Sequence, residues 1–261
     1  MPVLDVNGQV IYYDLIGSGV PALILHGWLE VGQDHLPLAE QLVANGYSVI
    51  LPDLPGYGKS VPPKRTYPTD FYKRDAAIMG EFLAALLAIF GARNAHIFGF
   101  SDGGEVALLL GVEYAHLCRS VTAWGALGAF DQSACEHSQR ASFPTTWVTD
   151  EMIAKHPDQD VVGWVQQWVD AFCAMIAEGG DLTLSRADQL SAPLLLMLGE
   201  EDRLNPPALG RRFVEKAAER RGVLRQFRTF PNVGHAIHEQ APNAFYSAVL
   251  EFLAKVDSAQ P

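Results

Sequence analysis

Three features are scarce or missing in this chain of 261 residues, and each absence argues against a class of protein. Lysine and arginine number 19 against 30 aspartates and glutamates, and no basic run occurs, so we expect no nucleic-acid partner. The longest strongly apolar run, Phe82–Phe90, is too short to cross a bilayer, so we expect no membrane partner. The first residues contain neither a basic segment nor an apolar one, so no signal peptide is expected.

Cysteine is equally scarce. The three cysteines, Cys118, Cys135 and Cys173, are odd in number and have no Cys-x-x-Cys spacing. They favour a reducing cytoplasm, with neither a disulfide framework nor a zinc site. Histidines and carboxylates also lack metal-ligand spacing such as His-Glu-x-x-His, so we expect no metal and no other cofactor.

Apolar runs typical of buried strands alternate with helical patterns along most of the chain, which favours a parallel α/β sheet. The alternation stops between residues 128 and 190, where no buried strand is evident and Val161–Ile176 has apolar residues at helical spacing. We therefore predict a core of residues 1–127 and 191–261, with a helical cap of residues 128–190 inserted over the carboxyl edge of the sheet.

The segment Ala95–Ala107 is the most informative stretch. A short apolar strand leads into Gly99-Phe100-Ser101-Asp102-Gly103, and small residues then open a helix. This order of strand, Gly-x-Ser-x-Gly and helix is a nucleophile elbow, in which a sharp turn exposes the serine at the carboxyl end of a strand. We predict that Ser101 is a catalytic nucleophile.

A serine hydroxyl needs a base, and the base needs an orienting carboxylate. In an elbow fold these partners follow in the order serine, acid, histidine, each on a loop after a strand. Asp202 and His235 meet that order and are our catalytic candidates with Ser101. Rival acids and a rival base lie close by in the sequence: Glu200, Glu201 and His238.

Five other histidines are expected to have no catalytic role. His238 is one helical turn past His235 and is expected at the pocket rim or as a helix cap. His96 begins the elbow strand and is expected to be structural. Surface positions are expected for His116, His137 and His156.

Two backbone N–H groups are candidates for an oxyanion hole. One belongs to Trp28, which follows a buried strand and the flexible Gly27, and the other belongs to Asp102 at the start of the elbow helix. Tryptophans could line a pocket near these groups, although packing between cap and body explains some of them equally well. The substrate-binding candidates are Trp124, Trp164 and Trp168.

These residues make the chain resemble the α/β-hydrolase superfamily and, more narrowly, the valacyclovir-hydrolase group, also called biphenyl-hydrolase-like proteins. The resemblance covers nearly the whole chain. Its matching stretches are Pro52–Gly58, Tyr67–Asp75, Phe100–Gly104, Trp124–Ala126, Trp168–Asp170, Gly199–Pro206 and Gly234-His235. One departure is His26-Gly27, where the group often has Pro-Gly.

The resemblance implies a mostly parallel eight-stranded sheet flanked by helices, and a serine esterase without cofactor that acts on small-molecule esters of α-amino acids. It also implies that the side chain of Asp102 recognises the substrate ammonium; on physical grounds alone, the carboxylate could equally serve only to complement the helix dipole. We expect a monomer or a small homo-oligomer.

Two other functions use the same fold and remain open. One is hydrolysis of a carbon–carbon bond in a vinylogous diketone, or cofactor-free perhydrolysis, because the same three residues and cap serve both. A carbon–carbon hydrolase must bind an acidic dienoate, however, which Asp102 beside the serine should disfavour. The other function is that of a small-molecule receptor with little turnover.

Overall fold

The computed structural model describes residues 2–259 of the chain. Eight strands form one sheet. They are β1 (Val3–Val6), β2 (Gln9–Gly17), β3 (Val20–Leu25), β4 (Tyr47–Pro52), β5 (Ala95–Phe100), β6 (Cys118–Trp124), β7 (Leu194–Gly199) and β8 (Arg225–Phe230). Residues of β5 and β7 are buried along their whole length, as expected for strands that are covered on both faces.

The strands lie in the order β1-β2-β4-β3-β5-β6-β7-β8. Pairs β1·β2 and β2·β4 are antiparallel, whereas every pair from β4·β3 through β7·β8 is parallel. The predicted mostly parallel, eight-stranded sheet is therefore confirmed. Since the parallel strands share one direction, the loops after β3, β5, β7 and β8 all leave the same edge of the sheet.

Nine α-helices occur in residues 2–259. They are α1 (Leu36–Ala44), α2 (Phe71–Phe90), α3 (Asp102–Glu113), α4 (Gln132–Ser142), α5 (Asp150–Ala154), α6 (Val161–Ala177), α7 (Pro207–Ala218), α8 (Ile237–Gln240) and α9 (Pro242–Ser258). Helices α2, α3 and α7 share one apolar core on one face of the sheet, and α1 and α9 share a second core on the other face. None of the helices in this part of the chain is both long enough and apolar enough to span a bilayer.

Between β6 and β7 the chain forms α4, α5 and α6, in the segment that the sequence predicts as a helical cap. Helix α6 buries Val161, Trp164, Val165, Trp168 and Phe172 at helical spacing, which is the pattern that the sequence indicates. Its amino terminus is capped by Asp160, whose side chain accepts a hydrogen bond of 2.9 Å from the N–H of Gly163.

The cysteine prediction is wrong. Cys135 of α4 and Cys173 of α6 are joined by a disulfide, with their Cα atoms 5.0 Å apart, and only Cys118 is a free thiol. The two helices pack against each other, which brings residues 38 positions apart in sequence into contact. Disulfides persist mainly in oxidising compartments, so the cysteines no longer support a reducing one.

Candidate active site

The predicted nucleophile occupies a strained turn between β5 and α3. Ser101 has φ +52° and ψ −118°, a conformation that costs a non-glycine residue about 1–3 kcal/mol and is found mainly at functional sites. The positions two residues before and after it require glycine: a Cβ on Gly99 would lie 2.1 Å from the carbonyl oxygen of Gly103, and one on Gly103 would lie 2.3 Å from that of Leu25. Strand, serine and helix therefore meet as the elbow pattern predicts.

The three catalytic candidates lie together at the carboxyl edge of the sheet. His235, on the loop after β8, has Nε2 2.9 Å from Oγ of Ser101 and Nδ1 2.8 Å from Oδ2 of Asp202. Asp202 lies on the loop after β7. Both distances are within the range expected for a nucleophile, its base and the group that orients the base.

The surroundings of Asp202 favour its ionised form. Burial raises the pKa of this carboxyl, but the hydrogen bond and charge of His235, together with two backbone N–H groups, outweigh burial and bring the pKa below its ordinary value. Those N–H groups belong to Leu204 and Asn205 and donate to Oδ1 at 3.0 and 2.9 Å. A carboxylate can only accept, so Nδ1 of His235 carries the proton and Nε2 faces Ser101 as an acceptor.

The rival candidates lie elsewhere. Glu200 and Glu201 are exposed, and Glu200 accepts a hydrogen bond from Thr229. His238 was expected at the pocket rim or as a helix cap, but it is largely buried and its Nδ1 accepts a hydrogen bond of 3.1 Å from the indole N–H of Trp124. Burial lowers the pKa of His238 to about 4, so it is neutral at pH 7.

Two of the other histidines also differ from expectation. His156 is fully buried. Its Nδ1 accepts the N–H of Gly58 at 2.9 Å, and its ring packs beside Trp164. His137 is only partly exposed and borders a pocket next to Ser101. His96 is structural as predicted, with Nδ1 2.7 Å from Oγ of Ser120, and His116 is exposed.

Hydrogen bonds to the side chains of His26 and Glu30 hold the loop after β3 in place. Glu30, which the sequence reasoning missed, accepts the N–H of Gly27 at 2.7 Å and also lies 3.0 Å from Nε2 of His35. His26 accepts the N–H of Leu54 at 2.8 Å, and burial lowers its pKa to about 3, so this histidine is neutral and structural. Nothing in the sequence pattern singles out Glu30, although it lies only three residues after Gly27 and meets it within one turn.

The two predicted oxyanion donors remain available in this arrangement. Among residues 2–259 no acceptor is bonded to the N–H of Trp28. Asp102 is the first residue of α3, so its N–H has no partner within the helix. Both N–H groups follow the carboxyl ends of their strands, β3 and β5, at the sheet edge where Ser101 lies.

A pocket of about 310 Å³ opens at Ser101 and His235, and residues of α4 and α6 form part of its wall. Trp28, Trp147 and Trp168 supply much of its apolar wall, and the ring centroids of Trp28 and Trp168 are stacked 4.6 Å apart. Volume and lining are those of a site for a small organic molecule with an apolar or aromatic group.

Of the three tryptophans predicted to bind substrate, only Trp168 borders this pocket. Trp124 is fully buried in the core, stacked on Phe100, and so is not in contact with the pocket. Trp164 of α6 packs edge-on against Tyr57 and Tyr67. Both assignments are corrected, because a tryptophan pattern cannot by itself distinguish packing from pocket lining.

A second, much smaller recess adjoins the pocket on the α3 side. Its volume is about 10 Å³, and it shares Ser101, Trp168 and Leu204 with the larger pocket. Asp102 and Asn205 are both among the residues that line it. A cavity of this size holds about one water molecule or one group of similar size.

The side chain of Asp102 is buried and bonded to neutral donors. Its Oδ1 accepts from the hydroxyl of Tyr72 at 2.6 Å, and its Oδ2 accepts from the indole N–H of Trp168 at 2.9 Å. No lysine, arginine or histidine of residues 2–259 forms an ion pair with it. Burial raises the pKa of Asp102 to about 6, against the lowering effect of the two hydrogen bonds, so the group is mostly ionised at pH 7.

Comparison with known proteins places the chain among hydrolases. The model of a family described as the alpha/beta hydrolase family matches residues 22–249. The serine hydrolase BPHL of Mus musculus is 28% identical over 211 residues, which cover 77% of this chain and 70% of that protein. The serine hydrolase BPHL of Homo sapiens is 26% identical over 257 residues, which cover 95% of this chain and 84% of that protein.

Solved structures show the same fold. A putative lipase from Acinetobacter baumannii superposes with a TM-score of 0.80 at 20% identity, covering 99% of this chain and 92% of that one. A meta-cleavage product hydrolase from Pseudomonas fluorescens superposes with a TM-score of 0.71 at 20% identity, covering 98% of each chain. At such identities the likeness is one of fold.

Proposed function

Because the chain belongs to the alpha/beta hydrolase family, we propose that it is a serine hydrolase that cleaves esters of α-amino acids through an acyl-enzyme. Three observations support serine catalysis: the strained elbow at Ser101, its contact with His235, and the contact of His235 with Asp202. The similarity to the serine hydrolase BPHL agrees with this assignment.

The proposed mechanism uses the contacts among Ser101, His235 and Asp202. Nε2 of His235 takes the proton of Ser101 while Oγ attacks the ester carbonyl, and the N–H groups of Trp28 and Asp102 hold the developing oxyanion. His235 then protonates the leaving alcohol. A water molecule, activated by the same imidazole, attacks the acyl-enzyme and releases the acid with the enzyme restored.

The observation that carries the substrate class is the carboxylate of Asp102. A buried carboxylate that has only neutral donors is poorly compensated, and a substrate ammonium would supply the missing positive charge. The α-ammonium of an amino-acid ester is one carbon away from the carbonyl that Ser101 attacks, and Asp102 is adjacent to Ser101. The larger pocket with Trp147 and Trp168 then receives the alcohol.

The alternatives lack such an observation. A carbon–carbon bond hydrolase must bind an acidic dienoate, which the carboxylate of Asp102 would repel. A receptor with little turnover would not need His235 in hydrogen-bond contact with both Ser101 and Asp202.

The test compares two esters of one alcohol, one with valine and one with N-acetylvaline, on the wild type, on Asp102→Asn and on Ser101→Ala. Turnover should disappear in Ser101→Ala. The wild type should prefer the free amine, and Asp102→Asn should lower kcat/KM for the valine ester about 10- to 100-fold, the worth of a charged hydrogen bond. A wild-type ratio near one, or equal losses on both esters, would refute amino-ester recognition by Asp102.

A further inference from the structure

We propose that the side-chain oxygen of Asn205 is a second acceptor for the substrate ammonium and makes Asn205 a specificity-determining residue. The proposal rests on the proposed hydrolysis of α-amino acid esters and adds a group that no motif predicts. It starts from a buried polar atom that has no partner and from the recess that this residue borders.

Asn205 is almost fully buried, and its Oδ1 has no hydrogen-bond donor among residues 2–259. The orientation of the amide is not free to reverse. Its Nδ2 donates to the carbonyl oxygen of Gly125 at 2.6 Å, and a flipped amide would set two oxygens against each other. An unsatisfied buried acceptor is costly, so a donor at this position would be bound favourably.

The recess next to Asn205 is the space from which such a donor can come. Ser101, Asp102 and Asn205 all border it, and its size suits one water-sized group. An ammonium group is of that size and carries hydrogen-bond donors only. Asp102 supplies charge on one side, and Asn205 supplies a neutral acceptor on another.

Glu105 also borders the recess but is committed elsewhere. Its carboxyl accepts the N–H of Leu127 at 2.7 Å and the N–H of Gly128 at 3.0 Å, which holds the chain where it leaves β6. Oδ1 of Asn205, in contrast, is a neutral acceptor that no donor of residues 2–259 occupies. A primary ammonium has three N–H donors, so it can bond to Asp102 and Asn205 together.

The experiment measures kcat/KM for a valine ester and for the isovalerate ester of the same alcohol, which has the same carbon skeleton without the amine. In Asn205→Leu the ratio of kcat/KM for the valine ester to that for the isovalerate ester should fall about 10-fold relative to the wild type, the worth of one hydrogen bond to a charged group. Asn205→Ser, which keeps an oxygen acceptor, should lose less. Circular dichroism melting of each variant establishes that it is folded.

Thr122→Val is the matched control. Thr122 of β6 also has a buried hydroxyl without a partner, but it is not part of the recess, so its replacement should leave the ratio unchanged. In the double variant Asp102→Asn/Asn205→Leu, the losses in the ratio should be smaller than the product of the single losses, because both side chains hold one group.

The outcomes separate the two proposals. Equal losses on both esters in Asn205→Leu would overturn the role of Asn205 as an ammonium acceptor and leave it as a support of the loop that carries Asp202. A ratio that stays at its wild-type value in this variant would overturn that role as well. If the wild type itself shows no preference for the valine ester, the proposed amino-ester function fails first.

Discussion

The disulfide between Cys135 and Cys173 yields the prediction with the clearest magnitude. Breaking it, either with a phosphine reductant or in Cys135→Ala/Cys173→Ala, releases a loop that spans 38 residues and contains α5 and most of α6. The chain-entropy model assigns such a loop about 4 kcal/mol of unfolding free energy at 25 °C. For a chain of this size that corresponds to a drop of roughly 10 °C in melting temperature.

Thermal unfolding followed by circular dichroism measures this effect on the oxidised protein, the reduced protein and the double variant. The reductant should have no further effect on the double variant, which serves as its control, because the remaining Cys118 is a buried free thiol. Helices α4 and α6 both border the larger pocket, so KM for esters of bulky alcohols should also rise on reduction.

Two results would refute the reasoning. Thiol titration of the untreated, denatured protein should find one free thiol, and three after reduction; three before reduction would mean that the bond does not form. A melting temperature that stays the same after verified reduction would mean that packing between α4 and α6 already constrains the loop.

The remaining predictions concern the reaction. The valine-ester to N-acetylvaline-ester ratio of kcat/KM should rise with pH as Asp102 ionises near 6 and fall again as the substrate amine loses its proton near pH 8. A flat pH profile of the ratio would contradict the role of Asp102. Glu30→Gln should lower kcat about 10-fold for all esters with little change in KM, because the carboxylate fixes Gly27 next to the Trp28 N–H. Steady-state kinetics measure both constants, and a change in KM alone would assign Glu30 to ground-state binding.

Much of the fold could be predicted because its signals are local. Apolar runs such as Ala22–Leu25 and Pro193–Leu198 mark strands that are buried on both faces, and Asn45-Gly46 marks the end of a helix. The elbow at Ser101 is also local, since two glycines and a strand define the turn. The meeting of Ser101 with Asp202 and His235 was predictable from their order and from the shared edge of a parallel sheet.

Other features depend on distances between segments far apart in the chain. No spacing rule pairs Cys135 with Cys173, because their contact follows from the packing of α4 on α6. Trp124 and Trp168 look alike as large aromatic residues in the sequence. Trp124, however, is fully buried at the end of β6, whereas Trp168 borders the pocket.

The sequence by itself therefore determined the strands, the elbow and the candidate catalytic residues, since periodicity and turn chemistry are written in neighbouring residues. Only the tertiary structure decided which side chains surround Ser101. Asp102 and Asn205 line one small recess, although 103 positions separate them, because α3 and the loop after β7 converge at one sheet edge. The physical reason is that burial and hydrogen bonding depend on contacts in space.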